Sequence, residues 1–291
     1  LITKAASEAD IVVHTADCDH EPSANAIVAG LGQKKAGEKG WLIHTSGTGI
    51  LCFKDYERKS YGVHNEKVYD DWDGIKEVTS IPDIALHRNV DKVILAASEQ
   101  YPEKISTAIV CPPCIYGPGR GPDNQKSVQV YRMARAVLQR GKGFQVEGGK
   151  NIWTQVHVQD LSDVYVSLVT AALSPGGGKA TWNQEGYYFA EAGGFVWGDV
   201  AKAIAKAAKD KGLISTADID SISIEEADTL TGMGSYLWGF NSRGRGIRAK
   251  KLLGWTPKQK GLLELIPDIV DVEARDLGLT KAHADKAAGV A

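Results

Sequence analysis

Cysteine is scarce in this chain. Four residues in 291, Cys18, Cys52, Cys111 and Cys114, are too few to staple a chain of this length, so a disulfide scaffold is excluded and a reducing setting is expected. No apolar run approaches the ~20 residues that a helix needs to cross a bilayer. There is no basic excess either. Lys and Arg number 34 against 36 Asp and Glu, a formal net charge of −2, which argues against a general nucleic-acid binder. The N-terminus LITKAASEAD lacks the charged, apolar and cleavage regions of a signal peptide in order, and a cytoplasmic protein is expected. The chain does not begin with Met, so a processed product, a fragment and a chain with its start missing all stay open.

What is present is ordinary for a soluble globular protein: 43% hydrophobic and 24% charged residues. Short apolar runs alternate with longer amphipathic stretches. IVVHTA (11–16), WLIHTS (41–46) and STAIVC (106–111) read as buried parallel strands ending in small polar residues. ANAIVAGLGQKKAG (24–37) and IALHRNVDKVILAASEQ (84–100) carry apolar residues at helical spacing. This alternation predicts a doubly wound α/β sheet. After residue 117 the texture changes. The turn GPGRGP leads into a helix at 125–141 closed by Gly, then FQVEGG and WTQVHV as short strands. Asp160 is expected to cap a helix over 161–173, residues 187–209 to form a strand, a Gly turn and a helix, and 261–277 a last helix. The expected division is a Rossmann-like domain over 1–117, a mainly substrate-binding lobe with interleaved sheet elements over 118–280, and a tail over 281–291.

Five stretches occur in order: ADIVVHTAD (9–17), GWLIHTSGTG (40–49), AIVCPPCIYGPG (108–119), TQVHVQDLSDVY (154–165) and RAKKLLGWTP (248–257). Their succession resembles the extended and atypical short-chain dehydrogenase/reductases, the NAD-dependent epimerase/dehydratase group, over nearly all of the chain to about residue 275. The resemblance implies a cofactor, NAD or NADP, in the crevice at the carboxyl ends of the strands. Thr15, Ala16, Thr45, Pro112 and Cys114 are the residues expected to hold it. Ser46 takes the place of the family's catalytic Ser or Thr, with Thr48 as a substitute or a substrate contact. The alternative is that Thr45 and Ser46 only terminate a strand.

Two departures stand out. No GxxGxxG occurs at the mouth of a strand; GLGQKKAG (30–37) reads as a helix end. The favoured reading is a fragment lacking the Gly-rich segment, against a protein without a pyrophosphate cradle. The second departure is in the Tyr-x-x-x-Lys dyad. With Asp91 at the place of the family's helix acid, the Tyr position falls on Asp83 and the Lys position on His87. Asp83 and His87, four apart on a helix, form a candidate acid/base pair. Equally open is that Asp83 caps the helix and His87 is a polar surface residue.

On the substrate side the resemblance points to Tyr116 at the pocket mouth and to Arg243 and Arg245 as anion-binding forks. A solvated basic helix start explains these arginines as well. CPPC (111–114) suggests a redox or metal site, but a zinc site needs a second pair of ligands and the flanking IYGPG describes a turn, so no metal is expected. His157 is expected to be a strand residue near the lobe junction. Two functions remain open: an NAD(P)-dependent oxidoreductase or epimerase/dehydratase-like enzyme acting on a small carbonyl or alcohol, and a non-catalytic NAD(P)-binding sensor. The expected partner is a small molecule, not nucleic acid or membrane, with a homodimer as an open option.

Overall fold

A computed structural model of the chain describes residues 1–280; the tail expected over 281–291 lies outside them. The three strands expected from the apolar runs form at Ile11–His14, Gly40–Thr45 and Ile105–Cys111. They pair in parallel in that order, and Tyr187–Phe189 adds a fourth parallel strand beside Ile105–Cys111. The two inner strands are almost wholly buried because both faces are covered, which is why they read as continuous apolar runs rather than alternating ones.

The side-chain period of two assigns residues to faces. Leu42 joins the core under the helices Glu21–Leu31 and Arg88–Gln100. Ile43 joins the core on the opposite face, under the helix Val158–Ala172. Continuing the alternation, His44 and Ser46 face the helix Arg88–Gln100, and Thr45 faces Val158–Ala172. In register, His14 stands directly opposite His44.

The second lobe has its own core, built around Phe144, Trp153, Trp197, Trp238 and Phe240 and the helices Gln129–Arg140, Trp197–Asp210 and Leu262–Asp276. Gly141 takes φ 72° and closes the first of these, as its place after the last apolar turn predicts. The strands Cys114–Tyr116, Ile152–His157 and Gly194–Val196 make a small mixed sheet.

Two expected boundaries are corrected and one is borne out. The helix expected from residue 84 begins at Arg88, because His87 stands at φ 67°, which no α-helix accommodates. GLGQKKAG does contain a helix end, with Gly32 capping Glu21–Leu31. Asp160 is not an N-cap. His157 caps Val158–Ala172 by accepting from the Gln159 N–H, while the buried Asp160 carboxylate accepts from the N–H groups of Lys258 and Gln259 and pins the segment leading to the last helix.

Candidate active site

The carboxyl ends of the parallel strands carry two adjoining polar clusters. The inner one is buried. Ser46 Oγ donates to Asp91 Oδ2 at 3.1 Å, and Tyr187 Oη donates to the same oxygen at 2.9 Å. His14 Nδ1 and His44 Nδ1 lie 2.9 Å apart. The other nitrogen of His44, Nε2, faces Asp91 Oδ1 at 4.0 Å, and neither of these two buried atoms has a hydrogen-bond partner. Burial pushes the Asp91 carboxyl up to about 6 against the pull of its Tyr187 and Ser46 hydrogen bonds. Burial, with the charges of His14 and His87, pushes His44 down to about 3.

The outer cluster opens to solvent. His87 Nδ1 lies 2.7 Å from Asp19 Oδ1 and 3.3 Å from Cys18 Sγ. Burial alone would lower the His87 pKa, but its hydrogen bonds to Asp19 and Cys18 outweigh it and raise it to about 10. The ring is therefore an imidazolium at neutral pH. Its position is over-determined: φ 67° at a non-glycine residue costs on the order of 1–3 kcal/mol, and the ring lies over the glycines that follow Ser46. A Cβ at Gly47 would stand 2.9 Å from His87 Nε2. From the other lobe, Tyr236 Oη donates to the Gly49 carbonyl at 2.9 Å. The ligand atoms of Cys18, Asp19 and His87 all lie within 4.8 Å of one another.

The sequence-derived site is partly rearranged. Ser46 and His87 are brought to one place. Asp83 is not: it is exposed in a turn and ion-paired with Lys92 at 2.9 Å. The pairing of Asp83 with His87 assumed a helix running through both, and Asp19 is the carboxylate that His87 meets. Thr15 and Ala16 are exposed at the end of the edge strand. Thr45 faces away from Ser46, and its hydroxyl lies 2.6 Å from Tyr165 Oη. Pro112 is buried, and its carbonyl accepts from the Thr48 N–H. Cys114 is wholly buried in the core of the second lobe, where burial drives its thiol pKa far up, so it is not at a cofactor surface. Cys111 is likewise wholly buried, a free thiol pushed well above its ordinary pKa, in keeping with CPPC as a strand end.

Thr48 is buried with an unpartnered Oγ1. Tyr116 is not at a pocket mouth: it is 2% exposed, and its hydroxyl donates to the Lys260 carbonyl. The cavity next to it, about 340 Å³, is lined instead by Gly117, Arg120, Tyr131, His157 and Leu265. Arg243 donates to the Asn65 carbonyl at 2.7 Å and pairs with Glu66, while Arg245 pairs with Asp70 from an exposed position. Both arginines are engaged in holding the strand pair Gly244–Arg245 and Tyr69–Asp70.

Sequence reasoning missed Asp19, Tyr187 and the two histidines. One signal was available: VVHT and LIHT end two neighbouring strands with the same His-Thr pair.

No model of a protein family matches the chain. Over 286 residues it is 38% identical to oxidase ucsJ of an Acremonium species, an alignment covering 96% of this chain and 82% of that protein. The chain belongs to the same family as that oxidase, and it has the fold of the NAD-dependent epimerases and dehydratases. Solved structures share the fold at low identity. A UDP-glucose 4-epimerase of Thermotoga maritima superposes with a TM-score of 0.58 at 16% identity, over 95% of this chain and 81% of that one. MoeE5, solved with UDP-glucuronic acid and NAD, gives 0.61 at 15%, over 94% and 82%. DesIV, a dTDP-glucose 4,6-dehydratase of Streptomyces venezuelae solved with NAD, gives 0.60 at 12%, over 94% and 76%.

Proposed function

We propose that the protein is an NAD(P)-dependent oxidoreductase, epimerase/dehydratase-like, acting on a small carbonyl or alcohol, with the cation of its catalytic dyad supplied by His87. The observation that carries the reading is the His87 ring, held by Asp19 and Cys18 over the turn that follows Ser46.

The residues present fit the nicotinamide-ribose end of an NAD-type cofactor. Thr15 and Ala16 are small and exposed at the strand mouth, and the His87 ring, held by Asp19 and Cys18, is suited to hydroxyls or to developing negative charge. The phosphate end is a different matter, since the described residues contain no Gly-rich loop at a strand mouth. When bound, the cofactor accepts or gives a hydride. His87 orients the ribose and stabilises charge on the reacting oxygen. Ser46 exchanges a proton with Asp91 behind it, its hydroxyl turning from Asp91 toward the crevice when substrate is present. A cytoplasmic setting and a homodimer belong to the same proposal.

The test is NAD(P)H turnover by the full-length protein over a panel of carbonyls and alcohols. His87→Ala is expected to lower kcat about 100-fold or more, and His87→Lys to recover part of it by restoring a cation. Equal loss in both variants, with both folded, refutes the cationic role.

A second reading has its own support. Ser46 Oγ faces inward to Asp91 and no Tyr occupies the dyad position, which favours a dinucleotide sensor. Cofactor binding without turnover across the panel is the result expected of it.

A further inference from the structure

The inner cluster contains more titratable groups than the proposed chemistry at Ser46 uses. His14 and His44 are register partners on neighbouring strands, so the pleat puts both rings on the face of the helix that carries Asp91. Their Nδ1 atoms lie 2.9 Å apart, so one donates to the other. His44 and Asp91 are wholly buried. His44 Nε2 and Asp91 Oδ1 lie 4.0 Å apart, and neither has a hydrogen-bond partner. Two unsatisfied buried polar atoms each cost about 1–3 kcal/mol. A proton on either one, with a small closing movement, satisfies both. His14 lies at the sheet edge and is 7% exposed, in the field of Asp17 and His20.

We propose that Ser46, Asp91, His44 and His14 form a proton relay that connects the reacting oxygen at the crevice to solvent at the sheet edge. The relay rests on the oxidoreductase reading above. Its steps balance. As an alcohol loses its hydride to the cofactor, its hydroxyl proton passes to Ser46 Oγ, while the Ser46 proton passes to Asp91 Oδ2. Asp91 enters the relay as the neutral acid, the form that prevails below about pH 6, and gives the proton on Oδ1 to His44 Nε2. His44 gives the proton on Nδ1 to His14 Nδ1, and His14 releases one to water. One proton crosses, every group returns to its starting protonation after the rings and hydroxyls reorient, and carbonyl reduction runs the chain in reverse.

The electrostatics suit such a chain. Asp91 is raised to about 6, and His14 is lowered from its ordinary value mainly by burial. Neutral donors and acceptors pass a proton without stranding a buried charge. The charged and titratable groups facing the relay are Asp19 and His87 from the crevice, Arg88 from the helix start, Asp17 and His20 at the edge, and Tyr187 and Cys111 from the adjoining strands. His44 and His14 are thus positioning and conducting residues.

The experiment has two arms on the full-length protein. In the first, infrared difference spectra over about pH 4–8 record the protonated Asp91 carbonyl band, identified by its loss in Asp91→Asn. In His44→Phe the band is expected to shift in frequency and in midpoint; an unmoved band in the folded variant overturns the relay. In the second, His44→Phe and His14→Phe are expected to lower kcat by about tenfold or more, with KM unchanged within about twofold and kcat partly restored by added imidazole. Unchanged kcat, or a loss that imidazole does not restore in either variant, also overturns it. His14→Phe, at the sheet edge, serves if His44→Phe does not fold. Absence of wild-type turnover on the whole panel refutes the oxidoreductase reading instead, and the infrared arm still decides whether His44 and Asp91 share a proton.

Discussion

At the scale of single residues, His87 shows how a neighbour changes what a side chain is. Its ordinary pKa is 6.5, and with Asp19 and Cys18 it rises to about 10. A raised folded-state value contributes stability that is complete below the unfolded value and is lost as pH rises through the folded one. The unfolding free energy is therefore expected to fall between about pH 7 and 10, by on the order of 1–2 kcal/mol once solvent screening at the half-exposed Asp19 is allowed for. His87→Gln removes that dependence. Urea titrations at several pH values check it; a wild-type slope that persists in His87→Gln excludes His87 as its source. The same scale explains why Asp83 is not in the site. It sits four residues before His87 in sequence, but four residues share a face only inside a helix, and the chain is a turn there.

At the scale of elements, a few carboxylates fasten segments that the hydrophobic pattern alone leaves unpaired. Asp71 is wholly buried. One of its oxygens accepts from the Phe189 N–H, and the other from the N–H groups of Ile247 and Arg248. It thereby binds the last strand of the main sheet to the start of the helix Arg248–Leu253. Arg248 is buried against Trp72 and bonded to the Asp71 carbonyl. Asp71→Ala leaves three backbone N–H groups without a partner and is expected to cost about 3–5 kcal/mol. Chemical denaturation measures this, and a loss below about 1 kcal/mol is incompatible with the role. Asp160 does similar work at another junction. Neither is visible as a cap motif, because the groups it satisfies lie about a hundred residues away or more.

At the scale of the molecule, the two cores are joined beside the site. Asp55 is buried and accepts from the backbone and side-chain N–H groups of Asn241. Ser242 donates to the Thr48 carbonyl, and Tyr236 to that of Gly49. The turn after Ser46 is thus gripped by the second lobe. Asp55→Ala is expected to cost about 2–4 kcal/mol and to split a single calorimetric transition into two, as the lobes lose their coupling. A single transition at the wild-type temperature contradicts this account of how the lobes are joined.

The sequence by itself determined the parallel strands and the doubly wound fold that they build. These follow from local pattern: continuous apolar runs, period-two faces and motifs in fixed order. Only the tertiary structure decided what the polar groups do. His87 became a cation because Asp19, 68 positions away, folds onto it. Cys114 and Tyr116 went into a core, and Arg243 and Arg245 went to local acids and carbonyls. Burial and long-range pairing set the protonation and direction of a side chain, and neither is a property of the residues on either side of it.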